Sequence, residues 1–256
     1  MLDPEEHRDP ALRGKVASLH IEPHLAAAEV VVWLLRKTCT HKAPRRGIGD
    51  DLARPMTRVN CAMKPQRGDS MTMQTQPSQP DAVLDFWFDE IEPKTWWAVD
   101  PAFDALVSGR FGLTLAQASC GELFGWRGDA RGRLAEVIVL DQFSRNIHRG
   151  TPQAFAQDAM ALVLAQEAVS RSMLATLDSD ERSFLLMPYM HSESRLVHSQ
   201  AEPLFLAHSS PDSHTFELRH KAIVDLFGRY PHRNAILGRA STTEETAFLA
   251  QPGSSF

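Results

Sequence analysis

Cysteine is scarce in this chain: Cys39, Cys61 and Cys120 are the only three in 256 residues. None stands in a CxxC pair or a spaced ligand set, so a disulfide framework and a thiolate zinc site both lack material, and a reducing, cytoplasmic setting is expected. Long apolar runs are also missing. The longest, residues 25–35, is interrupted by Glu29 and falls well short of the roughly 20 residues that a bilayer crossing takes, so no membrane span is expected. It lies behind Asp3, Glu5, Glu6 and Asp9 rather than behind a basic start, which is not the pattern of an export signal. Positive charge is not in excess either. A formal charge of -5 and a pI near 6.1 leave no broad cationic surface to displace counterions from phosphates, so no nucleic-acid partner is expected. Trp96, Trp97 and Trp126 have no interleaved basic residues and read as packing anchors rather than a base-stacking platform.

Chemical motifs are absent as well. The chain has no GxSxG, P-loop, GxGxxG or HExxH, which removes the local support for serine hydrolase, nucleotidase, dinucleotide-binding and zincin readings. No cofactor is expected.

What is present is an ordinary globular composition, 43% hydrophobic and 23% charged, long enough to bury a core without staples. Its character changes near residue 70. Residues 1–70 carry 12 Lys or Arg against 9 Asp or Glu, a net of +3 that leaves -8 for the other 186 residues. Six prolines from Pro4 to Pro65 punctuate that first part, and no helical or alternating period persists beyond residues 26–35. The expected organisation is a disordered extension and linker over residues 1–80, a helical domain over 81–250, and a frayed tail over 251–256.

From Asp81 the chain reads as successive helices. Asp81 is the expected N-cap of a short buried helix carrying Val83, Leu84, Phe86, Trp87 and Phe88. Asp100-Pro101 is the next start signal, with Pro at a position whose amide needs no partner. Residues 129–146 give the most apolar helix, with Leu134, Val137, Ile138, Leu140 and Phe143 on one face, and it is expected to be central. Asp178 to Glu181 is a plausible cap before a helix that Pro188 should interrupt or kink. His214 to Phe227 is another amphipathic helix, stopped at Gly228, and Ser241 to Glu244 has the spacing of a capping box. Phe86, Trp87, Leu134, Ile138, Phe143 and Phe227 are expected in one core. With no alternating strands the fold class is all-α, built as antiparallel helical hairpins or a helical bundle.

Four segments carry a resemblance: Val83-Leu-Asp-Phe-Trp-Phe88, Leu140-Asp-Gln-Phe-Ser-Arg-Asn-Ile-His-Arg-Gly150, Pro188-Tyr-Met-His-Ser-Glu193, and Phe227-Gly-Arg-Tyr-Pro-His-Arg-Asn-Ala-Ile-Leu-Gly-Arg239. In this order, over about residues 81 to 250, the chain resembles the bacterial family known as domain of unknown function 924. The resemblance implies a fold similar to tetratricopeptide-type helical hairpins, and it brings no activity, substrate or catalytic residue with it. Ser144 stands where the family commonly has Pro, and residues 195–210 follow its pattern loosely.

The same segments supply the candidate site. Asp141 and Arg145 share a helical stripe, with Asn146 beside it, and Arg229, His232, Arg233 and Asn234 crowd a loop past a helix end. Arginine forks pair bidentately with carboxylate or phosphate, so these seven residues are the candidate ligand-binding set for a small anionic ligand or a protein partner. The plain alternative is that they satisfy one another and the helix ends. His191, Glu193 and His220 are the candidates for proton transfer should the protein be a small-molecule enzyme. His191 and Glu193 stand two apart and cannot share a helical face, so no metal site is expected.

Overall fold

The computed structural model describes residues 78–254. The expectation for residues 1–77 therefore lies outside the described residues. Helices make up the regular structure, and no strand occurs among the described residues, so the chain is all-α.

Helix α1 (Pro80–Leu84) starts with Pro80 in its first turn and Gln79 as N-cap. Asp81 is thus not the cap; it sits inside the first turn, where its charge faces the positive end of the helix dipole. The reason is Pro80, whose fixed φ begins the helix two residues earlier. α1 runs on into a π-helical segment, Asp85–Glu90, which places Phe86 and Trp87 in the core. Helix α2 (Pro101–Ser119) is capped by Asp100, whose carboxylate accepts from the Ala102 amide at 2.8 Å. Helix α3 (Ala130–Ile138) is capped by Asp129, which accepts from the Gly132 amide at 2.8 Å. It passes through a second π-helical stretch, Val139–Phe143, into α4 (Ser144–Ile147). A Cβ on Gly132 would come within 2.0 Å of the Trp126 carbonyl oxygen, so only glycine lets the preceding turn lie against α3.

Helix α5 (Asp158–Ser170) follows a 3₁₀ turn, Pro152–Phe155. Helix α6 (Ser179–Met190) opens on a reciprocal capping box between Asp178 and Glu181. Pro188 lies within α6, which ends two residues later. Helix α7 (Arg195–His208) is regular despite Pro203, so the loosely patterned stretch is a helix after all. Helix α8 (Pro211–Phe227) ends at Gly228, whose φ of 72° is the left-handed C-terminal cap. After a 3₁₀ turn, Pro231–Arg233, comes α9 (Thr243–Leu249). Its capping box is Thr242 with Glu245, one residue later than the spacing from Ser241 suggested. The chain then turns as far as Ser254, whose hydroxyl donates to the Leu249 carbonyl at 3.2 Å.

Helix α3 is the hub. It packs against α1, α5 and α6, while its π-helical continuation lies on α2. Leu134, Ile138 and Phe143 are fully buried there with Phe86, Trp87 and Phe111. Consecutive helices α5 to α8 pack on one another in turn, an order compatible with stacked helical hairpins. One core residue is elsewhere: Phe227 belongs to a second, smaller cluster with Ile223, Val224, Tyr230 and Phe248. α8 reaches the body of the fold through α7 and α6 rather than α3, which takes its last turn away from the main core. Replacing Asp178 with Ala removes the acceptor for the Glu181 amide, 2.9 Å away, and is expected to cost about 1 kcal/mol in urea unfolding.

Candidate functional site

Asp141 sits in the π-helical stretch at the centre of the fold and is 1% exposed. Its Oδ1 accepts from Arg145 Nη1 at 3.0 Å and lies 2.8 Å from His191 Nδ1, while Oδ2 accepts from Gln142 Nε2 at 2.6 Å. Burial alone would raise this carboxyl group, but the charge of Arg145 and the hydrogen bonds from His191 and Gln142 hold it well below the usual carboxylate range. An ionised Asp141 has no proton to give, so His191 must carry its hydrogen on Nδ1, which leaves Nε2 as the basic nitrogen. Burial and the nearby Arg145 push His191 downward, so its ring is neutral at pH 7. His191 occupies the C-terminal cap of α6, which is how that helix delivers it to the hub.

Arg145 also reaches Asp158, at the first turn of α5, with Nη2 3.0 Å from Oδ1. Arg233 donates to Oδ2 of the same carboxylate at 3.2 Å, the oxygen to which Arg145 also donates at 3.2 Å, and Oδ1 is buried without a hydrogen-bond partner. Both guanidinium groups lie over the Phe155 ring, at 5.7 and 4.7 Å from its centroid, and Arg233 lies over Tyr230 at 4.7 Å. Arg233 is 6% exposed, and its Nε is buried without a hydrogen-bond partner. Burial, followed by repulsion from Arg145, lowers its pKa.

The other candidates divide. His220 is buried, its ring 6.5 Å from that of His191, and its Nδ1–H donates to the Phe216 carbonyl at 2.8 Å. Burial pushes it down to about 3. His232 stacks at a tilt beside Tyr230, 5.6 Å away, and burial and then Arg233 push it down to about 4. Four candidates are engaged by partners outside the Arg145–Asp158–Arg233 group. Asn146 donates to Asp104, which Arg149 also grips through two hydrogen bonds. Arg229 grips Glu245 the same way, at 2.6 and 2.8 Å, and Asn234 donates to that glutamate too. Glu193 accepts twice from Arg239 and once from the Tyr230 amide.

Sequence reasoning missed Asp158, Phe155 and Tyr230. Tyr230 lies inside a segment singled out for its resemblance, but Asp158 and Phe155 carry no spacing signal and come in only through the fold. It also missed a wholly buried pair, His198 and Glu217, joined by Nδ1 and Oε1 at 2.7 Å. His198 Nε2 is 2.9 Å from the Ser192 carbonyl, which it must donate to, and 3.1 Å from the Tyr230 hydroxyl. Burial raises the Glu217 carboxyl group above its ordinary value. Among the described residues, no group of three or more His, Cys, Asp or Glu side chains is placed to hold a metal ion, and no helix is long and apolar enough to cross a membrane.

A strand-free helical core, beside whose central helix Asp141, Arg145, Asp158, His191 and Arg233 are brought together, defines an all-α protein. The chain belongs to the family described as bacterial protein of unknown function, DUF924, which matches residues 83–253. It is similar to a solved protein of unknown function from Agrobacterium tumefaciens, with 35% identity over 67% of this chain and 96% of the other and a TM-score of 0.64. No curated protein matches the chain.

Proposed function

We propose that this chain is a helical module that binds a small anionic ligand at Arg145 and Arg233, with His191 at its border. The observation that carries the reading is Arg233. Its guanidinium is buried, yet it makes one hydrogen bond, to a carboxylate that Arg145 already engages. Arg149, Arg229 and Arg239, by contrast, each hold a carboxylate through two hydrogen bonds. A guanidinium has five donors, and leaving them buried and idle costs free energy unless something else accepts from them. The two guanidinium groups share one carboxylate and one ring, and Arg233 keeps a buried Nε–H without an acceptor, so an incoming oxyanion finds a donor already in place.

Arg233→Met keeps an unbranched apolar side chain at the position and removes the guanidinium that lies over Phe155 and Tyr230. Because Asp158 retains Arg145, the variant is expected to be as stable as the parent or up to about 1 kcal/mol more so, while losing the rise in melting temperature that inorganic phosphate, sulfate or malonate gives the parent. A loss of 3 to 5 kcal/mol, the usual cost of stranding a buried charge, would make the cluster purely structural.

A second reading, a small-molecule enzyme, draws on the Asp141–His191 pair. A buried carboxylate on Nδ1 orients an imidazole and leaves Nε2 free to take a proton, the arrangement of a general base. Glu193 and His220 do not add to it, being bonded to Arg239 and to a helix carbonyl.

A further inference from the structure

We infer that an oxyanion enters the Arg145–Arg233 site together with a proton, which is taken up by Nε2 of His191. The inference rests on the anion site proposed above and concerns how that site is balanced. As it stands the centre is neutral: Arg145 and Arg233 face Asp141 and Asp158, and His191 carries no charge. Glu193 and Arg239 cancel each other beside it. Any anion placed among these buried groups leaves an uncompensated negative charge, which is costly at low dielectric unless a cation is created nearby.

The groups that face His191 are Asp141 and Arg145 from α3 and α4, Asp158 from α5, His220 from α8, and His232 with Arg233 from the Pro231–Arg233 turn. Four of the six are imidazole rings or carboxylates that could not take the proton as well, and of these Asp158 is engaged by both Arg145 and Arg233. Asp141 is held ionised by Arg145 and by the hydrogen bonds from His191 and Gln142, His220 has a backbone carbonyl rather than a carboxylate on Nδ1, and His232 has the Arg233 charge against it. His191 has an anionic carboxylate 2.8 Å from Nδ1 to stabilise the imidazolium, and Asp141 is its hydrogen-bond partner among the described residues, so Nε2 is the nitrogen available for the proton. Once protonated, Nε2–H is a further donor on a ring that shares the Asp141 carboxylate with Arg145. The proton comes from solvent, and no bond of the ligand is made or broken.

The consequence is a linkage: binding that takes up a proton tightens as the pH falls, by up to tenfold per pH unit for one full proton. Sulfate and methanesulfonate are suitable probes, because neither changes charge between pH 5.5 and 8. Titration calorimetry at constant ionic strength, repeated in buffers of different ionisation enthalpy, reads the proton uptake directly on the unaltered protein. The expected result is uptake approaching one proton for whichever probe binds, tighter binding at pH 6 than at pH 8, and a flat pH profile in His191→Gln. Sulfate binding favoured over methanesulfonate points to a doubly charged oxyanion such as a phosphate monoester, and the reverse to a singly charged one such as a carboxylate. Binding with no proton uptake would overturn this inference and leave the anion site standing. No binding of either probe would overturn both.

Discussion

Phe143→Ala is expected to destabilise the protein by about 3 to 5 kcal/mol, read as a lower midpoint in urea unfolding. Phe143 closes the π-helical stretch that continues α3 and is fully buried. Its ring meets Phe111 at 4.7 Å, Trp87 at 5.6 Å and Phe86 at 6.0 Å, so it joins α1 and α2 to the hub. Truncation removes one ring of a four-ring cluster and leaves a cavity whose walls belong to three different helices, which limits how far they can collapse. A cost below about 1 kcal/mol would mean that the hub is not assembled as described.

Stability should fall steeply between pH 6.5 and pH 4. His220 and His232 titrate near 6.5 in an unfolded chain and at about 3 and about 4 in the fold, because burial disfavours their charged forms. Over that window the unfolded state binds more protons than the folded one, so stability is complete above about pH 6.5 and is lost as the pH falls. With about 1.4 kcal/mol for each unit of separation, each ring accounts for at most about 3 kcal/mol by pH 4. Asp141, held low by Arg145 and His191, acts in the same direction but only below the ordinary carboxylate range. Acid unfolding followed by circular dichroism should therefore have its midpoint in this window, and His220→Leu should move it to lower pH. A midpoint that the substitution leaves in place would rule out burial of a neutral His220 as the cause.

Much of the helical order was legible in the sequence because caps and apolar periods are local signals. Asp100, Asp178 and Gly228 mark real helix ends, and the central position of residues 129–146 follows from their apolar face. Helix phase at the ends was less legible. Asp81 and Ser241 each lie one or two residues from the true caps, Gln79 and Thr242, because several polar residues in a row offer competing start points. Phe227 was misplaced for a different reason: its apolarity says that it is covered, but which helix covers it depends on how α8 is routed past α7.

The candidate site divides along the same line. Asp141, Arg145, His191 and Arg233 do converge, since their segments combine polar forks with dense apolar neighbours. Which carboxylate each arginine finds is a tertiary matter: Glu245 for Arg229, Glu193 for Arg239 and Asp158 for Arg233 are 16, 46 and 75 residues away in the chain. Nothing in spacing could have shown that Arg233 would be left the poorest in partners.

The wide turn of Val139–Phe143 ties two faces of one helix together. A π-helical turn takes one residue more than an α-helical one, so it resets the rotation of everything after it by roughly 100° relative to everything before. Leu134 and Ile138 lie before that reset, and Arg145 and Asn146 lie after it. Dropping one residue to regularise the helix would leave the apolar half facing the core while swinging Arg145 off Asp158, or keep Arg145 in place and unseat the core. The irregular turn thus serves as a phase adjuster, letting a single helix be hydrophobic hub at one end and charged centre at the other.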